Sequence, residues 1–259
     1  SGIYNIELSG GKFHENQLNE LKKLKLIATF RIHNYFPPPK IPFVFNLASL
    51  DQNIGRKSYN HAITAINWAV EFDQPIYSFH AGFLINLKVY ELGAKIKKRE
   101  FYDRNSAINV FLERVVDISE YARKMGVDLL IENNVLSLNN FKEFKSNPFL
   151  MATADECVHI MENTPSNVNL LIDVAHLKVS ANSLNFDTLI FLSKCDKWIK
   201  GYHLSDNDGE SDSNQGISKD SWFWPNLKNK IDYYSLEIYD TPLSFLETQI
   251  QLTQSKLKL

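Results

Sequence analysis

The chain has 259 residues, 44% of them hydrophobic, with 28 basic against 30 acidic side chains and a net charge of −2. That length and apolar share suffice for one sizeable core, and the near balance of charge excludes the bulk positive field of a nucleic-acid-binding protein. No apolar run approaches the roughly 18–20 residues of a membrane span, no signal peptide opens the chain, and Cys157 and Cys195 have no paired or CxxC spacing, so a reduced, cytoplasmic protein is expected.

In chain order, Ile3–Leu8 reads as a strand closed by Ser9, Gly10 and Gly11, and leucines at 18, 21 and 24 give Glu15–Leu24 a helical face. Leu26–Ile32 is the next strand, ending at His33-Asn34, and Pro37-Pro38-Pro39 enforces a stiff extended loop. Phe43–Leu47 is a further extended piece. A helix over Ser58–Phe72 leads to the strand Ile76–His80, and Gly82–Lys98 is a loop with a helical turn. Phe101–Lys124 carries the apolar stripe of a long amphipathic helix, with Gly126 placed to cap it. Thr153-Ala-Asp-Glu156 matches a capping box, Asp187 can cap a helix over 189–192, and Pro242 opens a last helix running to about Ser255.

The most informative stretch is Asn169-Leu-Leu-Ile-Asp-Val-Ala-His176. Its apolar run reads as a strand buried on both faces, and a carboxylate where that run stops lies at the carboxyl end, where α/β barrels place their chemistry. The pattern recurs in the runs ending at His80, Glu132, His203 and Glu237, and the last four such ends are 41, 30 and 34 residues apart. Each interval is about one βα unit of a barrel. The count is seven strands, so a (β/α)8 barrel lacking its first βα unit is expected, as one domain over residues 1–259 with an unpaired edge on its first strand.

Glu132, Asp173, His203 and Glu237 are hard oxygen and imidazole donors from four strands. The set suits one divalent ion, Mn²⁺, Mg²⁺, Co²⁺ or Zn²⁺. Three carboxylates in one cleft would otherwise repel and take up protons. Asp206–Lys219 is long, polar and glycine-bearing, suited to a mobile flap, and Trp222-Phe-Trp224 after it would either close over a ligand or pack the loop onto the rim.

Together, Asn5-Ile-Glu-Leu-Ser-Gly-Gly11, His80-Ala-Gly, Ile131-Glu-Asn-Asn134, Ile172-Asp-Val-Ala-His176, Gly201-Tyr-His-Leu-Ser-Asp206 and Leu236-Glu237 resemble the xylose-isomerase-like barrel superfamily. The resemblance implies a metal on Glu132, Asp173, His203 and Glu237, with scope for a second. It also implies a sugar or sugar phosphate as partner, contacted by His176, His80 and His33, and Trp222 is added as an aromatic contact. Glu132 and Glu237 would pass a proton through an enediolate, making the chain a sugar isomerase or epimerase; a homo-oligomer is compatible with this. Two alternatives are an endonuclease IV-like phosphodiesterase and a non-catalytic sugar-binding barrel. Against the nuclease stands Asp212-Ser-Asn214, where that relative carries an Asp-x-His pair.

Overall fold

The computed structural model describes residues 2–92, 96–231 and 233–258. Its seven strands, β1 (Asn5–Leu8), β2 (Thr29–His33), β3 (Ile76–His80), β4 (Asp128–Glu132), β5 (Val168–Asp173), β6 (Ile199–Leu204) and β7 (Tyr234–Leu236), form one parallel sheet in sequence order. Because β1 and β7 are the two edges, the sheet has no β1–β7 pairing among the described residues. Across that gap Tyr233 donates its hydroxyl hydrogen to the Glu7 carboxylate, so the sheet curls into a nearly closed barrel. The expected seven strands and unpaired first edge are both present.

Helices α1 (Gln17–Leu24), α2 (Gln52–Glu71) and α3 (Arg104–Lys124) connect the early strands. After β4 come α4 (Leu138–Phe144) and α5 (Ala154–Glu162), after β5 come α6 (Val174–Leu184) and α7 (Thr188–Cys195), and α8 (Leu243–Leu257) ends the fold. Ala62, Ala65, Ile66 and Ala69 of α2 and Phe111, Val115, Ile118 and Ala122 of α3 pack into one core with Phe79, Leu129, Ile131, Leu170 and Ile172 of the strands. None of the described helices is long and apolar enough to cross a membrane.

Several boundaries differ from the sequence reading for identifiable reasons. Helix α2 begins six residues before Ser58, because the Asp51 carboxylate accepts from the Asn53 and Ile54 amides and caps it. Strand β2 starts at Thr29, since Leu26 and Ile27 sit exposed in the preceding turn. Phe43–Leu47 forms no strand. Asn46 holds it as a loop, accepting from the Ala48 and Phe83 amides and donating to the Phe83 carbonyl. A side chain at Gly82 would collide with Ala48 at that crossing. In the loop expected over 82–98, Val89–Glu91 forms a single 3-10 turn, while 93–95 lie outside the described residues.

The capping box is a correction. Thr153 stands at the N-cap of α5 without a side-chain cap bond. Glu156 instead accepts from the Met151 amide at 2.6 Å and from the Arg104 guanidinium. A full positive charge from another helix outcompetes a single amide. Gly126, with φ of +73°, and Asp187, accepting from the Leu189 and Ile190 amides, cap as expected.

Candidate metal centre

Parallel pairing brings the strand ends to one level. His80 lies beside Glu132 and Asp173 beside His203, while the Glu237 amide donates to the Leu204 carbonyl at 3.1 Å. Each side chain is then aimed locally. Asp173 ends β5 and caps α6, its Oδ1 accepting from the His176 amide at 2.7 Å, while its own amide donates to Asn133 Oδ1 at 2.8 Å. Held on both sides, the carboxylate leaves Oδ2 free to face the barrel axis.

His203 Nδ1 stands 3.0 Å from Glu237 Oε2, 3.3 Å from Glu132 Oε1 and 3.9 Å from Asp173 Oδ2. One donor atom from each of these four residues lies within 4.8 Å of the others. Donors about 2.1 Å from a common cation stand about 3.0 Å apart at adjacent octahedral corners and about 3.4 Å apart in a tetrahedron. The spacing therefore fits one divalent ion. Glu132 Oε1 and Oε2, Asp173 Oδ2, Glu237 Oε2 and His203 Nδ1 are also all buried without a hydrogen-bond partner. Buried polar atoms seldom go unpartnered, each costing roughly 1–3 kcal/mol; one from each of these four residues has the arrangement a cation would satisfy, while Glu132 Oε2 faces His33 and His80 instead. His33, His80 and Glu132 form a second such group, and Glu7, His33 and His203 a third.

The electrostatics agree with this accounting. Burial drives the Asp173 carboxyl up to about 8, reinforced by Glu132, Glu237 and Asp212 against the opposing pull of His176. Burial would also raise Glu132, but the His80 and His203 imidazoles outweigh it and hold the carboxyl well below the usual range. Glu237 is likewise lowered against burial, through its contact with His203. Burial opposes charge on His203 and on His176; Glu7 and Glu132 nonetheless push the first up, and Asp173 and Asp212 the second. Without a cation, protons on Asp173 and the imidazoles balance the carboxylates; a divalent ion would displace them. His80 goes the other way, lowered to about 4 chiefly by burial, so it is neutral near pH 7.

The other expected residues fall around this cluster. His176 Nδ1 faces the Asn133 carbonyl at 3.0 Å and its Nε2 the Asp212 carboxylate at 3.1 Å. His33 is buried, with Nδ1 2.9 Å from Ser78 Oγ and Nε2 3.2 Å from Glu132 Oε2. His80, Asp212 and Glu237 are the cluster's more open side chains, at 26%, 23% and 17% exposure, and mark the mouth.

The loop after β6 is held rather than loose. Asp206 pairs with Gln215 through two backbone bonds, Lys178 Nζ meets Asp206 Oδ1 at 2.7 Å, and Asn182 donates to the Gly209 carbonyl at 2.9 Å. Phe223 is fully buried and Trp224 donates its indole N–H to the Ser218 carbonyl, which packs this aromatic run onto the rim. Trp222 is half-buried against the core, its indole nitrogen unpartnered.

Sequence reasoning gave no site role to Glu7, Tyr233 or Ser78. The signal for Glu7 was present in the sequence, as a single carboxylate between Ile6 and Leu8 near the end of an apolar strand. Tyr233 and Ser78 are ordinary strand residues in sequence and had no such mark.

A parallel barrel with four chemistry-bearing strand ends defines the xylose-isomerase-like class of TIM barrels. The chain belongs to that family: the model of the xylose isomerase-like TIM barrel matches residues 7–235. No curated protein matches the sequence. Among solved structures, a D-tagatose 3-epimerase-like protein superposes with a TM-score of 0.72 at 17% identity, over 98% of this chain and 88% of that one. D-psicose 3-epimerase from Clostridium cellulolyticum, solved with D-tagatose, gives 0.64 at 13% identity, over 99% and 88%. The TTHB071 protein from Thermus thermophilus, soaked with zinc chloride, gives 0.60 at 17% identity, over 97% and 88%. At these identities the likeness establishes the fold.

Proposed function

We propose that the chain is a divalent-metal-dependent isomerase or epimerase of a small sugar or sugar phosphate, working in the cytoplasm. The observation that carries this is the convergence of Glu132, Asp173, His203 and Glu237, with one buried, unpartnered donor atom from each within 4.8 Å of the others. Fold relatives that are sugar 3-epimerases support the substrate class. One ion would fill this group, and His33, His80 and Glu132 offer a place for a second.

When bound, the ion would polarise a substrate carbonyl and acidify the adjacent C–H. The chain's own groups do the rest. Glu132 and Glu237 reach the centre from different strands, so one removes the C–H proton and the other delivers a proton to the opposite face of the enediolate. The Tyr239 hydroxyl donates to Glu237 Oε1 and steadies that carboxylate. His80, neutral and at the mouth, and His176, braced by Asn133 and Asp212, hold substrate oxygens. Trp222 borders the same rim. His33 acts from below, against Glu132.

Metal analysis of protein purified without chelator is expected to give metal in the wild type and little in Glu132→Ala and Asp173→Ala. Undiminished metal in both variants would remove the site assignment. Incubation with ketoses and aldoses in D2O should reveal proton exchange at carbon by NMR, and silence across the panel would remove the reaction. The nuclease reading is disfavoured. Asn214 Oδ1 accepts from Ser205 Oγ at 3.3 Å, away from the His176–Asp212 pair, and the rim carries Asp206, Asp208, Glu210 and Asp212 where a phosphate-binding loop would be basic. Incision of abasic-site DNA should be absent.

A further inference from the structure

We infer that Glu7, on the edge strand β1, is a positioning residue that orients His203 for metal binding, an inference that rests on the metal site proposed above. The two nitrogens of the buried His203 ring face different surroundings. Nδ1 faces the three carboxylates of the centre. Nε2 stands 2.9 Å from Glu7 Oε1, an ion-pair contact whose angle falls short of a hydrogen bond, with no other partner for that nitrogen among the described residues. An imidazole that ligates through one nitrogen carries its proton on the other, and a carboxylate beside that second nitrogen selects the tautomer and fixes the ring. With the proton on the Glu7 side of the ring, the Nδ1 lone pair is left for the cation.

Glu7 is itself held. Its Oε2 accepts from the Tyr233 hydroxyl, which lies 3.1 Å from Ser78 Oγ. Ser78 Oγ is in turn 2.9 Å from His33 Nδ1, and His33 Nε2 is 3.2 Å from Glu132 Oε2. Since Glu132 Oε1 is 3.3 Å from His203 Nδ1, these contacts close into a ring running from His203 through Glu7, Tyr233, Ser78, His33 and Glu132. The Arg31 guanidinium lies over the Tyr233 ring at 4.0 Å, bracing the hydroxyl that holds Glu7. The ring draws on β1, β2, β3, β4, β6 and the residue before β7, so it ties the open edge of the barrel to the ligands on its closed side.

The test compares the wild type with Glu7→Gln, Glu7→Ala and Tyr233→Phe. Zinc affinity is measured by competition with a chromophoric chelator, and the His203 Nε2–H signal by ¹H–¹⁵N spectra of zinc-loaded protein. Expected losses in affinity are about tenfold for Glu7→Gln and between about tenfold and a hundredfold for Glu7→Ala. A smaller loss in the same direction is expected for Tyr233→Phe. The His203 Nε2–H proton should move upfield in Glu7→Ala as its carboxylate neighbour is lost, a shift that mere loosening of the fold would not produce. Should Glu7→Ala fail to fold, Glu7→Gln and Tyr233→Phe decide the matter. Wild-type affinity and an unmoved Nε2–H signal in the folded variants would overturn the inference while leaving the metal site standing. A second zinc in the wild type that disappears with Glu7 would make it a ligand and overturn the positioning role. No stoichiometric metal on the wild type would overturn the inference and the functional reading together.

Discussion

Strands β5 and β1 belong to one sheet and live in opposite conditions. Leu170, Leu171 and Ile172 of β5 are 0% exposed, whereas Ile6 of β1 and Tyr4 just before it are 39% and 59% exposed. Strand β5 pairs on both sides, with α6 and α7 following it; among the described residues β1 has β2 as its one strand neighbour, and α1 contributes no buried residue. Glu132, Asp173 and His203 stand on the closed side, where close packing fixes side chains to a few tenths of an ångström. Glu7 and Glu237 stand at the open side and depend on tyrosine hydroxyls for their aim.

The largest effect expected on this contrast is at the closed side. On the proposed function, Asp173→Ala should lower sugar proton exchange by at least about a hundredfold, because losing one proposed ligand would empty the site of the cation whose charge stabilises the developing anion. Exchange and metal content measured on the same preparation check it. Stability should divide the same way. Leu171→Ala is expected to cost about 2–5 kcal/mol in urea unfolding through its cavity, while Ile6→Ala should stay within about 0.5 kcal/mol. Equal costs would erase the distinction between the two regions.

Helix α2 packs against β2 and β3 and lies between the two regions. Its His61 is stacked on Tyr35 and edged by Phe43 and Phe45, and burial lowers its pKa from 6.5 to about 4. A histidine buried neutral contributes stability that is complete above pH 6.5 and is lost as pH falls toward 4, where the unfolded chain binds the extra proton. The loss should be roughly 2–3 kcal/mol over that window. The slope should flatten in His61→Gln, and an unchanged slope would assign the acid sensitivity elsewhere. The smallest effect is at the start of the same helix. Asp51→Ala removes the acceptor for the Asn53 and Ile54 amides and should cost about 1 kcal/mol, read as a shift in the urea midpoint.

The closed side was largely legible in the sequence. The apolar runs stopping at Glu132, Asp173 and His203 state both that a buried strand ends there and that something polar is needed at its end, since local periodicity and burial cost are properties of neighbours in the chain. The seven strands, the family and the four converging donors follow from that rule. Helices α4 and α6 went unread, because α4 is seven residues long and α6 opens directly from β5 with the Asp173 cap shared between strand and helix.

What only the tertiary structure decided lies in pairs far apart in sequence. Thr153 and Glu156 have the residue types and spacing of a capping box, yet Glu156 serves Arg104 instead, 52 positions away. Glu7 and Tyr233 meet across the gap between the sheet's two edges, 226 positions apart. A hydrogen bond between such residues has no local pattern to betray it: its partner is chosen by the curl of the sheet, and the curl is set by the packing of every strand between them.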